Sequence, residues 1–124
     1  MTGVQTCALP IYLAARTVAG SIPVGKYPHG LRVSPDGKEI YVANMRDGSV
    51  SVIDIAARRQ VARIRVGKTP VQVGFTPDGK MAFVSLNGEN AVAIIDTAKR
   101  AVIAKRGVGR GPVQVFSKIG RAHV

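Results

Sequence analysis

Two histidines, His29 and His123, and one cysteine, Cys7, are the only imidazole and thiol groups in the sequence. A lone cysteine forms no internal disulfide, and without further thiols or imidazoles it builds no thiolate or multi-histidine metal site. The acidic residues recur as turn residues, not as paired carboxylates for acid–base work. No GxxxxGK loop is present, and Gly107-Val108-Gly109-Arg110-Gly111 lacks the following helix that a dinucleotide site needs. The expectation is therefore no catalytic, metal or cofactor residue. What remains is His29, in Tyr27-Pro28-His29-Gly30, and a recurring cation: Lys26, Lys68 and Arg110, each in a Val-Gly-basic-x-Pro turn, with Arg46 expected close by. A formal charge of +11 suits an acidic partner such as nucleic acid or anionic lipid, and equally suits plain solubility. Single-strand nucleic-acid binding asks for aromatic platforms among the basic residues, and of the aromatics only Tyr27 lies in a basic turn.

The elements that must position these residues follow from an internal repeat. VGKYP at 24–28 returns as VGKTP at 66–70 and VGRGP at 108–112, in steps of 42 residues. SPDGK at 34–38 returns as TPDGK at 76–80, and VSVIDIAARR at 50–59 as VAIIDTAKRA at 92–101. Each unit predicts four short strands, at 29–34, 39–44, 49–55 and 60–66 in the first copy. Pro35-Asp36-Gly37 and Pro77-Asp78-Gly79 suit hairpin turns with glycine in the left-handed position. Asp47-Gly48 and Asn87-Gly88 punctuate the second connection, and Asp54 and Asp96 cap the turn after the third strand. Four antiparallel strands every 40 or so residues are the mark of a β-propeller blade, covered on both faces by its neighbours. That explains why Val50-Ser51-Val52-Ile53 is almost continuously apolar instead of alternating. The fold class expected is all-β: a propeller section with two complete blades, 25–66 and 67–108, a partial blade at 13–24 and the start of another at 109–117.

Residues 1–12 and 118–124 fall outside the repeat and are related to each other. A nucleotide sequence encoding Thr6 to Ile11 gives, on its complementary strand read in a shifted frame, Ile119-Gly120-Arg121-Ala122-His123-Val124. Inverted copies at both ends resemble translated sequencing-library adapters of the kind that contaminate metagenome assemblies, so both segments are set aside as non-native. Cys7 and His123 then leave the functional argument.

YVAN at 41–44, VSVIDI at 50–55, SPDGK and VGKxP together resemble the YVTN-type β-propeller repeat family, over essentially all of 13–117; the second unit departs with FVSL at 83–86. The resemblance implies a seven-bladed ring, exported to the periplasm, cell surface or medium, of which this chain holds about a third. It also implies that His29 begins the strand nearest the central channel, where related haem-carrying propellers use a histidine. Ring symmetry would set Lys26, Lys68 and Arg110 on one rim with Arg46, diluted by Asp47 and Glu89. The opposite rim mixes Lys38, Lys80, Arg58, Arg59, Lys99 and Arg100 with Asp36, Asp54, Asp78 and Asp96, as an ordinary solvated face does. The expected function is a non-catalytic scaffold whose loops bind a protein, glycan or other surface partner. A lactonase-like or nitrite-reductase-like propeller enzyme or haem carrier is the alternative, and nucleic-acid binding through the basic faces a further one. Two blades cannot close a ring, so self-association is expected as well.

Overall fold

The computed structural model describes residues 8–12 and 18–108, with side-chain surroundings for 22–108. Its strands are β1 Ala8–Tyr12, β2 Val18–Pro23, β3 Pro28–Val33, β4 Glu39–Asn44 and β5 Ser49–Asp54, then β6 Arg59–Arg65, β7 Pro70–Phe75, β8 Met81–Leu86, β9 Ala91–Asp96 and β10 Ala101–Gly107. β3 to β6 form one four-stranded antiparallel sheet in chain order and β7 to β10 a second. Equivalent strands start one repeat step apart, Pro28 with Pro70 and Glu39 with Met81. The four expected runs are all present, their limits moved by one residue at most. Among the described residues no helix is long and apolar enough to cross a membrane.

β1 falls inside the stretch set aside on codon grounds, and it pairs with β2 through an antiparallel ladder that shifts register between Ile11 and Tyr12. Such a ladder needs only an extended backbone, which Ala-Leu-Pro-Ile-Tyr supplies.

Turn chemistry explains why the chain reverses where it does. Gly37 and Gly79 adopt φ of 74° and 73°, the left-handed conformation that costs a glycine nothing. Asp36 Oδ1 accepts from Ser34 Oγ at 2.6 Å and from the Lys38 amide at 3.0 Å, and Asp78 repeats this with Thr76 and Lys80. Asp54 and Asp96 accept from the Ala57 and Lys99 amides at 2.9 and 3.0 Å. In the second connection the left-handed residue is Gly48 in the first blade and, one repeat step on, Asn90 in the second. Asparagine tolerates that conformation better than other side chains. Gly88 serves close approach instead, since a Cβ there would lie 2.7 Å from the Lys68 Cβ.

Strand alternation sends each blade's residues to two buried faces. Tyr41, Ala43, Val50 and Val52 look toward the second blade, where Val73, Ala82, Val84, Leu86, Ala93 and Ile95 meet them in the main core. On its other face the first blade turns Val42 and Ile53 to Ile22 and Val24 in a smaller cluster. The Tyr41 and Phe75 rings meet edge to face, centroids 4.9 Å apart. The innermost strands touch at Gly30, where any Cβ would collide with the Val71 carbonyl.

The fully buried side chain of Asn44 donates to Ser49 Oγ and Ser51 Oγ, at 3.1 and 2.9 Å. One repeat later all three positions turn apolar together, as Leu86, Ala91 and Ala93.

Leu86→Ala would leave a cavity in the inter-blade core and should lower stability to chemical denaturation by about 2–5 kcal/mol. Ile103→Ala, at a side chain 52% exposed, should change it by less than about 0.5 kcal/mol.

Candidate functional site

The rim carrying the recurring cations is built by two kinds of loop. One precedes β3 or β7 (Gly25 to Tyr27, Gly67 to Thr69). The other joins β4 to β5 or β8 to β9 (Met45 to Gly48, Asn87 to Asn90). Backbone hydrogen bonds stitch them together. The Met45 amide donates to the Tyr27 carbonyl at 2.8 Å and Asn87 to Thr69 at 3.0 Å; Arg46 donates to Lys26 at 3.3 Å and Gly88 to Lys68 at 3.2 Å. Tyr27 and Thr69 hold φ of 56° and 54°, a left-handed conformation costing a non-glycine residue about 1–3 kcal/mol. Both carbonyls are captured by the facing loop, which fixes that conformation in each blade.

Glycine at 25 and 67 lets an acidic side chain lie against the backbone. A Cβ on Gly25 would lie 2.6 Å from Asp47 Oδ2, and one on Gly67 would strike Glu89 Oε2. Glu89 accepts from the Lys68 amide at 2.7 Å. That bond, with Lys105 nearby, holds its carboxyl below the ordinary 4.5. The same ion pair recurs one step apart: Asp47 with Arg63 at 3.1 Å and Glu89 with Lys105 at 3.4 Å. The acids expected to dilute the patch are thus engaged by cations of β6 and β10. Among the described residues no carboxylate lies within ion-pair distance of Lys26, Arg46 or Lys68.

Lys26, Arg46, Lys68 and His29 are all exposed; Arg110 lies outside the described residues. His29 stands near the start of β3, the first strand of its sheet. Arg46 and Lys68 line one open depression of about 910 Å3 together with Arg65, while Lys26 and His29 are not part of its wall. The Arg46 guanidinium lies 4.9 Å from the Tyr27 ring centroid, a cation–π contact on a ring 49% exposed. Sequence reasoning passed over Arg65, whose Nη1 donates to the Asp47 carbonyl at 3.1 Å. The alternating Arg63-Ile64-Arg65 at the end of β6 was its only signal.

On the opposite rim the Ser34 and Thr76 hydroxyls and the following turn amides hold the Asp36 and Asp78 carboxyls below the ordinary 3.8. Among the described residues no group of three or more His, Cys, Asp or Glu is placed to hold a metal.

Because the folded carboxyl of Glu89 is the stronger acid, its contribution is full above the unfolded value near 4.5 and is lost as pH falls through the lower folded value. Glu89→Gln should therefore flatten the acid limb of melting temperature against pH, relative to the unaltered chain, and leave its slope near neutrality unchanged.

Solved structures give this arrangement its place among known folds. The chain matches hydrazine synthase from Kuenenia stuttgartiensis at 34% identity and a TM-score of 0.77, over 79% of this chain and 29% of that one. It also matches apo AztD from Citrobacter koseri at 16% identity and a TM-score of 0.65, over 73% of this chain and 26% of that one. The chain thus spans less than a third of the length of either. No family model matches it, and no curated protein does. Two antiparallel four-stranded sheets stacked face to face at a constant step, shared with these propeller proteins, make the two units blades of a β-propeller.

Proposed function

We propose that this chain is a section of a larger, exported ring of the YVTN-type repeat, and that the ring is a scaffold binding a partner through the rim that carries Arg46 and Lys68. The observation that carries this reading is the Arg46–Tyr27 stack beside Lys68. Among the described residues these cations have no carboxylate within ion-pair distance, and they stand on loops locked to each other by backbone bonds. Tyrosine and arginine on a rigid support lose little entropy on contact and dominate protein interfaces. Their charge selects a partner surface carrying carboxylates. His29, near the channel, belongs to a different part of the ring.

A second reading, an enzymatic or haem-carrying parent ring, draws on the 34% identity to hydrazine synthase. Nucleic-acid binding draws on net charge alone, and Arg46 already covers a face of the one aromatic in the basic turn.

Immobilised poly-L-glutamate should bind the chain in a salt-sensitive manner, and Arg46→Ala with Lys68→Ala should weaken that binding about tenfold or more, since a charge-assisted bond contributes about 1.5–3 kcal/mol. Equal binding by the double variant would remove the rim from the reading. Tighter binding of a single-stranded DNA oligonucleotide would favour nucleic acid, and visible absorbance or lactone hydrolysis by the whole ring would favour the enzymatic reading.

The outward face of the second blade also has a consequence. Phe83 and Ile94 there are only part-buried, and they occupy the places that Tyr41 and Val52 fill against a neighbouring blade in the first. The isolated chain should therefore self-associate, giving species larger than monomer in sedimentation velocity. A monodisperse monomer with a cooperative melt would contradict this.

A further inference from the structure

The rim opposite the basic loops carries a second site, independent of the reading above. Between the Pro-Asp-Gly hairpins of the two blades and the turn after β9 lies a cleft of about 570 Å3, within the range that small-molecule sites occupy. Its floor is the Tyr41–Phe75 pair, and Met81 and Ile103 add apolar wall. Four of the chain's seven acidic residues, Asp36, Glu39, Asp78 and Asp96, line it with one lysine, Lys80, and Arg100 beside the cleft pairs with Glu39. In a chain of formal charge +11 this is a concentrated reversal of sign.

Among the described residues, two buried polar atoms, one lining the cleft and one beside it, have no partner. Tyr41 is 0% exposed and lines the cleft, yet its hydroxyl makes no hydrogen bond. Arg100 reaches across from the second blade to Glu39, Nη2 to Oε2 at 2.6 Å, leaving its buried Nη1 without an acceptor. An unsatisfied buried polar group costs about 1–3 kcal/mol. The repeat does not require the Tyr41 hydroxyl or the Glu39 carboxylate that Arg100 meets: one step later the Tyr41 position holds Phe83 and the Glu39 position Met81. The aromatic ring recurs without its hydroxyl, and the Tyr41 hydroxyl finds no partner among the described residues.

We propose that this inter-blade cleft binds a small organic ammonium ion that also bears an oxygen acceptor, its carbon body on Phe75 and Met81, its charge facing Asp78 and Asp96, and its oxygen meeting Tyr41 and Arg100. Each donor in that arrangement acquires an acceptor. Asp36 and Asp78 hold their turns through Oδ1, and Asp96 likewise, so Oδ2 of each is left for a ligand. The ion pair Arg100–Glu39 bridges the two blades beside the cleft, so a ligand that meets Arg100 contacts both blades.

Calorimetric titration of the full chain with ethanolamine and L-lysine tests this, with glycolate and ethylene glycol as comparators lacking the ammonium. Saturable binding confined to the ammonium probes, with a raised melting temperature, is expected. Tyr41→Phe keeps the ring and removes the unpaired hydroxyl. It should leave the unliganded melting temperature equal or higher and weaken probe binding about tenfold or more, as loss of about 1.4 kcal/mol does. Asp78→Asn with Asp96→Asn retains an Oδ1 acceptor for each turn and should weaken binding by a similar factor. The proposal is overturned if no ammonium probe binds saturably, if the comparators bind as well, or if Tyr41→Phe binds unchanged.

Discussion

Everything in this molecule depends on one blade lying face to face on the next. A sheet of four short strands has two apolar faces and cannot bury either alone, so Val50, Val52 and Tyr41 are inside only because Val84, Leu86 and Ile95 lie across the gap. Burying each such side chain contributes about 1.5–3 kcal/mol, far more than any exposed ion pair in the chain. The close approach is set at Gly30, whose missing Cβ lets the inner strands converge on the Val71 carbonyl. Farther out the gap is filled by the Tyr41–Phe75 contact, and it is bridged at the rim by Glu39 and Arg100.

Within that constraint the repeat preserves which face a residue occupies while changing its chemistry. Asn44, Ser49 and Ser51 form a buried hydrogen-bonded set, and Leu86, Ala91 and Ala93 replace it as a unit. The joint exchange is what energetics favour, because removing one member strands a buried polar group whereas removing all three strands none. The departure from the namesake motif at Phe83-Val84-Ser85-Leu86 is thus one member of a coordinated exchange. Ser85 in its turn is buried and accepts from the Gln72 amide at 3.0 Å, at the bulge in β7.

The two rims acquire opposite character by the same logic of position. Asp47 and Glu89 are drawn sideways to Arg63 and Lys105, which leaves Lys26, Arg46 and Lys68 as the charge of one rim. On the other, Asp36, Asp78 and Asp96 are held by their own turns beside one cleft, which Glu39, paired with Arg100, also lines. A net charge summed over the chain conceals this division.

Strand positions, turn sites and the stacking of blades were legible in the sequence because each rests on local spacing. A 42-residue step, a period of two within strands, and Pro-Asp-Gly at fixed offsets are all read along the chain. Spacing also located Lys26, Lys68, Arg46 and His29, but not which of them share a surface. Arg46 meets Lys68 and Arg65 in one depression, with Lys26 outside it, and Asn90 takes the left-handed turn that Gly48 takes in the first blade. The pair of Glu39 with Arg100, the unpartnered Tyr41 hydroxyl and the acidic cleft between them belong to tertiary structure alone. Their side chains are brought together by the rotation of one sheet upon the next, a quantity fixed by packing across the gap and written in no short stretch of the chain.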